Sequence, residues 1–305
     1  MGARNGRTYR WLATIAASGG SCLLAACVAG CSVDDGLPAD TLQPLYPVSE
    51  VTISHESTQE ISVFSPDTEG RWPVVHLFPG SSGNRKDLSE LARTLSGQGV
   101  VVFVPDYDSS SLGGAGPRAK SDLVCAWRFG NSLAAQYGGD LTQPVTVAGH
   151  SAGAGLALAY GLRGDRSPDI TCLTAAPDPD VVVAIAPCFG QLRDLSDWSN
   201  TDAHAVLVSG SLDRMCPSSS AEGGAEELRS AGFNATYVQI DGGDHFDVVF
   251  LKDVTRGQLG ASPYLPGAAA GVAVVRAVLD AIKGAGDHLP AESAAAEPLP
   301  VLTAS

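Results

Sequence analysis

Positive charge is scarce in this chain: 19 lysines and arginines face 33 aspartates and glutamates, for a formal charge of −14. A phosphate backbone needs a basic surface, so this shortage excludes a nucleic-acid partner. Metal-ligating spacings are missing too. Neither C-x-x-C nor H-E-x-x-H occurs, which removes the usual zinc arrangements, and no metal or cofactor is expected. The chain has no internal repeat. It also lacks a long unbroken apolar run, because "WLATIAASGGSCLLAACVAG" (11–30) is interrupted at Ser18–Ser21 by two glycines. A membrane span needs about 20 consecutive apolar residues.

That broken run fits a different role. Arg4, Arg7 and Arg10 precede it with no acidic residue among them, the layout of an export signal over residues 1–30. Two tetrapeptides, "LAAC" ending at Cys27 and "VAGC" ending at Cys31, resemble the bacterial lipobox, in which the cysteine is lipidated and becomes the mature N-terminus. Cys31 is the expected anchor, with Cys27 as the alternative, because residues 32–47, "SVDDGLPADTLQPLYP", read as a polar, flexible tether. The expectation is an exported, membrane-anchored lipoprotein on the cell surface or the periplasmic side, or one released outside the cell. Beyond the leader and the anchor, Cys125, Cys172, Cys188 and Cys216 remain. An even number in an exported chain suggests two disulfides, with connectivity open.

From residue 48 to 285 apolar runs alternate with helical patterns. "EVTISHES" and "EISVFSP" alternate apolar and polar residues, as a hairpin or edge pair does. "PVVHLF" (73–78), "VVVFVPDY" (100–107), "PVTVAG" (144–149), "VVVAIAP" (181–187), "AVLVSG" (205–210) and "ATYVQID" (235–241) read as strands. Helical patterns over 86–99, 117–137, 151–162, 220–232 and 271–286 separate them. Such alternation implies βαβ units, a mostly parallel sheet flanked by helices and a single α/β domain. The alanine- and proline-rich tail, 286–305, is expected to be disordered.

One stretch, "PVTVAGHSAGAGLALAY" (144–160), packs small residues around a serine. G-H-S-A-G at 149–153 matches G-x-S-x-G and sits between a strand and a helix, the setting in which that motif has a mechanism. There the serine occupies a strained turn, and the residues two before and two after it must be small. A serine hydroxyl is a weak nucleophile and needs a base that is oriented by an acid. Asp213 follows the strand "AVLVSG" on the same sheet edge as Ser151, whereas Asp178 and Asp180 precede a strand. Asp194 and Asp197 fall in a connecting loop and are weaker rivals. Of the histidines after Asp213, His288 is in the tail, which leaves His245 in "QIDGGDHFDVV" as the base. His150 is expected to point elsewhere, and His204 begins a strand on the wrong edge. Two backbone N–H groups must bind the developing oxyanion; Ala152 and, in "HLFPGSSGNR", Ser81 are the candidates.

Together FPGSSG, PDY, YGGD, GHSAG, GSLD and DHF resemble, in order, the α/β-hydrolase superfamily over residues 72–283. "DLVCAWRFGNSLAAQYGGD…VTVAGHSAGA" and "DHFDVV" are similar to its carboxylesterase branch, with hormone-sensitive-lipase-like and kynurenine-formamidase-like enzymes. The resemblance implies Ser151 as nucleophile, Asp213 as acid and His245 as base. That branch carries His-Gly-Gly where this chain has Phe78-Pro79-Gly80-Ser81. The Pro-Gly version is more like cutinase-like polyester hydrolases and chlorophyllase-like enzymes, so the substrate stays open.

The connection 188–203 is too short for a helical cap domain, which predicts an open site for small-molecule or polymeric esters. Trp198 is read either as lining that site or as a rim residue. Cys188 and Cys216 follow adjacent strands near the same edge, so a bridge between them is reasonable, and Cys125 would then pair with Cys172. Four buried thiols are the alternative. A monomer is expected. An amidase, peptidase or acyltransferase would use the same residues, and a non-catalytic surface lipoprotein would use the fold alone.

Overall fold

Valine and isoleucine crowd the inner runs of this sequence, and β-branched side chains favour a pleated, half-buried surface. The computed structural model, which describes residues 42–55, 59–81, 83–107, 117–163, 176–188, 195, 198–249 and 267–287, turns these runs into strands. They are β1 (Val48–His55), β2 (Gln59–Pro66), β3 (Val74–Phe78), β4 (Val101–Pro105), β5 (Val145–His150), β6 (Val181–Ile185), β7 (His204–Gly210) and β8 (Asn234–Ile240). They form one eight-stranded sheet in the order β1-β2-β4-β3-β5-β6-β7-β8. The hairpin β1–β2 and the pair β2–β4 are antiparallel; every pairing from β4 through β8 is parallel.

The parallel part has a direct consequence for chemistry. Register aligns Val74 with Val145, Thr146 with Val181, Val181 with His204 and His204 with Asn234. The loops that leave β3, β5, β6, β7 and β8 therefore emerge on one edge, where ligands bind in open α/β sheets.

Helices cover both faces. α1 (Ser89–Gly97) and α5 (Gly267–Gly286) lie on one side, with Leu91, Leu95, Val274 and Val278 against Val75, Leu77, Val183 and Ile185. α2 (Pro117–Leu133), α3 (Ala152–Gly161) and α4 (Ser218–Ser230) cover the other, with Trp127, Leu158 and Leu228 against Val147, Val182 and Leu207. Alternate residues of the inner strands thus go to opposite cores, the period expected of a strand buried on both faces.

Two expected helices come out shorter. The 86–99 pattern divides into a 3-10 turn, Arg85–Leu88, and α1, because Asn84 and Asp87 form a reciprocal cap at the start of the turn. The 117–137 pattern ends as α2 at Leu133, and a 3-10 turn, Ala134–Tyr137, leads to Gly138 at φ 79°. Residues 42–47, the last of the stretch read as a tether, lie against the domain. The amides of Leu45 and Tyr46 both donate to Gly97 O, and the Tyr46 ring meets Trp72 at 4.8 Å. Residues 1–41 and 288–305, and with them Cys27, Cys31 and all of the expected tail but Gly286 and Asp287, are outside the described residues; Gly286 ends α5. Among the described residues no helix is long and apolar enough to cross a membrane.

Candidate active site

β5 ends at His150 and α3 begins at Ala152, so a single residue makes the turn between them. That residue is Ser151, at φ 54° and ψ −118°, a conformation that a side chain with a Cβ rarely adopts. Strain of this kind persists only where neighbours hold it. Here they do: Ser151 N–H donates to Ile185 O at 2.9 Å, and its carbonyl accepts from Ala154 N–H at 3.0 Å. The turn also explains the small residues. A Cβ on Gly149 would run into the carbonyl of Gly153, and one on Gly153 into the carbonyls of Phe78 and Pro79.

The loop after β8 brings His245 to this serine. Its Nε2 lies 2.9 Å from Ser151 Oγ, and its Nδ1 lies 2.7 Å from Asp213 Oδ2. Asp213 stands just past β7, as expected, and both it and His245 are buried. Asp213 Oδ1 accepts from the amides of Met215 and Cys216, at 2.9 and 2.8 Å. The carboxylate can accept only, so the Nδ1 proton stays between it and the ring, and Nε2 is free to take the hydroxyl proton. The acid and base loops are also stitched to each other. Leu212 N–H donates to Gly243 O, and Gly242 N–H donates to Ser211 Oγ, each at 2.9 Å.

Cys188, which follows β6, is disulfide-bonded to Cys216. The pairing expected from the two adjacent strand ends is the one found. Cys125 is disulfide-bonded as well, while Cys172, its expected partner, falls outside the described residues.

The segment after β3 forms the facing wall. Tyr107 Oη–H donates to Pro79 O at 2.7 Å, and Gly83 N–H donates to Gly80 O at 3.0 Å. Arg85 donates to both oxygens of Asp106 and also pairs with Glu60, which ties the segment to β2 and to the end of β4. Gly80, Ser81, Leu88, Ser151, Met215, Phe246 and Val249 help line a cleft of about 270 Å³. Ser81 lines this cleft together with Ser151, and Ala152 follows the serine as the first residue of α3.

The rejected candidates separate cleanly. Asp180 accepts from Val145 N–H at the opposite end of β5, and His204 Nε2 meets Thr236 Oγ1 at 2.9 Å, at the start of β7. Asp194 and Asp197 are outside the described residues. Trp198 corrects the reading made of it: it is buried against Phe233 in the core beneath α3 and α4 and does not line the cleft. His150 points away from the serine hydroxyl, as expected, but it has a partner that the sequence did not show: its Nε2 meets the backbone carbonyl of His245 at 2.8 Å. Tyr107 was quoted only as part of a motif. Among the described residues no group of three or more His, Cys, Asp or Glu side chains is placed to hold a metal ion.

No protein-family model matches the chain. Its fold, however, recurs among solved structures. Propionate-bound esterase Est2 of Thermogutta terrifontis superposes with a TM-score of 0.58 at 17% identity, covering 83% of this chain and 98% of that one. An esterase of Pyrobaculum calidifontis gives 0.55 at 19% identity, over 80% and 87%. A truncated carbohydrate esterase from gut microbiota gives 0.58 at 16% identity, over 81% and 99%. The fold is that of the α/β hydrolases. In sequence, a monoacylglycerol lipase of Mycolicibacterium smegmatis is 31% identical over 153 residues, which are 47% of this chain and 54% of the lipase. The match therefore spans about half the length of that relative.

Proposed function

We propose that this protein is an exported serine hydrolase that cleaves carboxylic esters through an acyl-enzyme. The observation that carries the proposal is the continuous path Ser151 Oγ–His245–Asp213, with both links within hydrogen-bond distance. His245 takes the hydroxyl proton as Ser151 Oγ attacks the ester carbonyl, and Asp213 stabilises the imidazolium that results. The N–H groups of Ala152 and Ser81 bind the oxyanion of the tetrahedral intermediate. His245 then gives its proton to the departing alkoxide, and the alcohol leaves. Water, deprotonated by the same imidazole, attacks the acyl-serine and regenerates the hydroxyl.

The cleft supports short acyl groups or an exposed ester of a polymer. Its volume of about 270 Å³ is small, and Leu88, Phe246 and Val249 supply apolar wall. Met215, which lines it, is 63% exposed, which leaves apolar surface at the mouth for a substrate larger than the cleft. The esterases that share the fold, and the partial likeness to a monoacylglycerol lipase, favour an ester over an amide. Export and a lipid at Cys31, with Cys27 as the alternative, belong to the same proposal and rest on the sequence of residues 1–31.

A fluorophosphonate probe tests the reading together with p-nitrophenyl ester hydrolysis. Wild type should label and hydrolyse the acetate ester, and Ser151→Ala should do neither. Wild type that resists the probe, or a Ser151→Ala variant that labels equally, would sink the proposal. Intact mass of the protein recovered from a lipoprotein-processing host would show whether the chain begins at a diacylated Cys31.

A further inference from the structure

His150 is buried against the proton path without belonging to it. Its ring centroid lies 5.0 Å from that of His245 and 6.2 Å from that of Phe246. A backbone carbonyl only accepts, so the 2.8 Å contact with His245 O places the His150 proton on Nε2 and leaves the lone pair on Nδ1. Burial, reinforced by the neighbouring His245, pulls the His150 pKa down to about 4. At neutral pH the ring is therefore uncharged and keeps this single donor.

Chain order gives the contact its meaning. The residue that ends β5, and whose main chain sets up the strained serine, reaches with its side chain across to a loop 95 positions later. That loop has no regular secondary structure of its own: residues 241–249 are a series of turns. Gly242 and Gly243 tie the start of this loop to the Asp213 loop, and Asp213 fixes one atom of the His245 ring, Nδ1. The contact from His150 adds a fixed point at the carbonyl of His245 itself, next to the ring whose Nε2 must meet the serine.

We infer that His150 is a positioning residue, whose Nε2–H clamps the main chain of His245 so that the imidazole meets Ser151 Oγ at reactive distance. The assignment rests on the hydrolase reading above. Asp213 anchors the ring and His150 anchors the backbone, and the nucleophile turn becomes the shared frame for both partners in proton transfer.

The pair His150→Gln and His150→Met separates the clamp from mere packing. The two side chains are close in size, but only glutamine retains an N–H donor near the place of Nε2, and methionine adapts to irregular core space. With p-nitrophenyl acetate, His150→Gln should keep kcat within about fivefold of wild type, while His150→Met should lose on the order of 100-fold in kcat, a typical cost of misplacement by about 1 Å. KM should change little in either variant, since the clamp acts on proton transfer. A folded His150→Met as active as His150→Gln overturns the assignment. Should the methionine variant fail to fold, long-range 1H–15N NMR of wild type decides: a neutral ring protonated on Nε2 supports the clamp, and a proton on Nδ1 overturns it. Failure of the hydrolase reading is seen separately, as wild type that does not react with a fluorophosphonate.

Discussion

The amide of Cys216 donates to Asp213 Oδ1 at 2.8 Å, and the same cysteine is bonded to Cys188 at the end of β6. A covalent link between neighbouring strand ends thus terminates on the residue that holds the acid. The turn that carries Asp213 follows β7 and would otherwise be fixed only by hydrogen bonds.

Removing that link should therefore affect both stability and rate. The bridge closes a sequence separation of 28 residues, for which loop entropy in the unfolded chain amounts to about 3.6 kcal/mol. Replacing Cys188 and Cys216 together by serine should lower unfolding free energy by about that amount in a urea titration. Ester hydrolysis should fall by about tenfold in kcat as the Asp213 loop loosens. Full activity in the double variant at a temperature where it remains folded would show that the hydrogen bonds suffice.

Two buried histidines make the fold sensitive to acid. His76, on β3, donates from Nε2 to Asn131 Oδ1 at 2.8 Å and stacks on Phe103. Burial outweighs that hydrogen bond and pulls its pKa from 6.5 down to about 4, and His150 is lowered to the same level. Above about pH 6.5 both are neutral whether the chain is folded or not. Between pH 6.5 and 4 the unfolded chain binds protons that the folded one refuses, so stability falls as pH falls, by about 3 kcal/mol for each histidine at pH 4. Urea titrations at pH 7 and pH 4 check this with His76→Gln as comparison. That variant should lose about 3 kcal/mol less than wild type over the interval, and equal losses would place the acid response elsewhere.

The layered α/β order was legible, and so was the common sheet edge of Ser151, Asp213 and His245, because both depend on local pattern. Strand-like runs alternate with helical ones, and a parallel sheet brings successive loop residues to one edge without any knowledge of distances. Ser151, Asp213 and His245 each follow a strand and could be located by position alone. Trp198 could not, because a tryptophan in a connecting loop reads the same whether it turns into the core or into a cleft. Residues 42–47 look like tether by composition; their docking depends on Trp72 and Gly97, far along the chain. The roles of His150 and Tyr107 depend on which carbonyl each side chain meets, and no spacing in the sequence encodes that.

The close crossing behind the serine predicts a sharp response at Gly153. A Cβ there meets the backbone of Phe78 and Pro79, which cannot swing aside as a side chain would. Gly153→Ala should cost about 1–3 kcal/mol of stability, as overpacking does. It should cost proportionally more in activity, because relief of the clash moves the β3 loop away from Ser151. Thermal melting and probe labelling of the same preparation check both. A variant with wild-type labelling rate would mean that the two segments separate without disturbing the turn.

Tyr107 offers the finest test of how the proposed oxyanion donor Ser81 is held. Its hydroxyl donates to Pro79 O at 2.7 Å, one residue before Gly80 and two before Ser81. Burial pushes the phenol's pKa up, so it remains a donor throughout the working pH range. Tyr107→Phe removes that single donor and retains the ring, which should cost about 1 kcal/mol of stability, the usual net value of one hydrogen bond. The kinetic effect should be larger and of a particular kind. An oxyanion contact strengthens only as the carbonyl becomes tetrahedral, so a displaced Ser81 N–H lowers kcat and kcat/KM together and leaves KM nearly constant. A tenfold loss in kcat is about 1.4 kcal/mol of transition-state stabilisation, roughly half of what losing an oxyanion donor outright costs. If Tyr107→Phe instead raised KM at constant kcat, the tyrosine would be shaping the ground-state cleft, and the segment of Ser81 would be held by the Gly83–Gly80 bond, Arg85 and the Asn84–Asp87 cap.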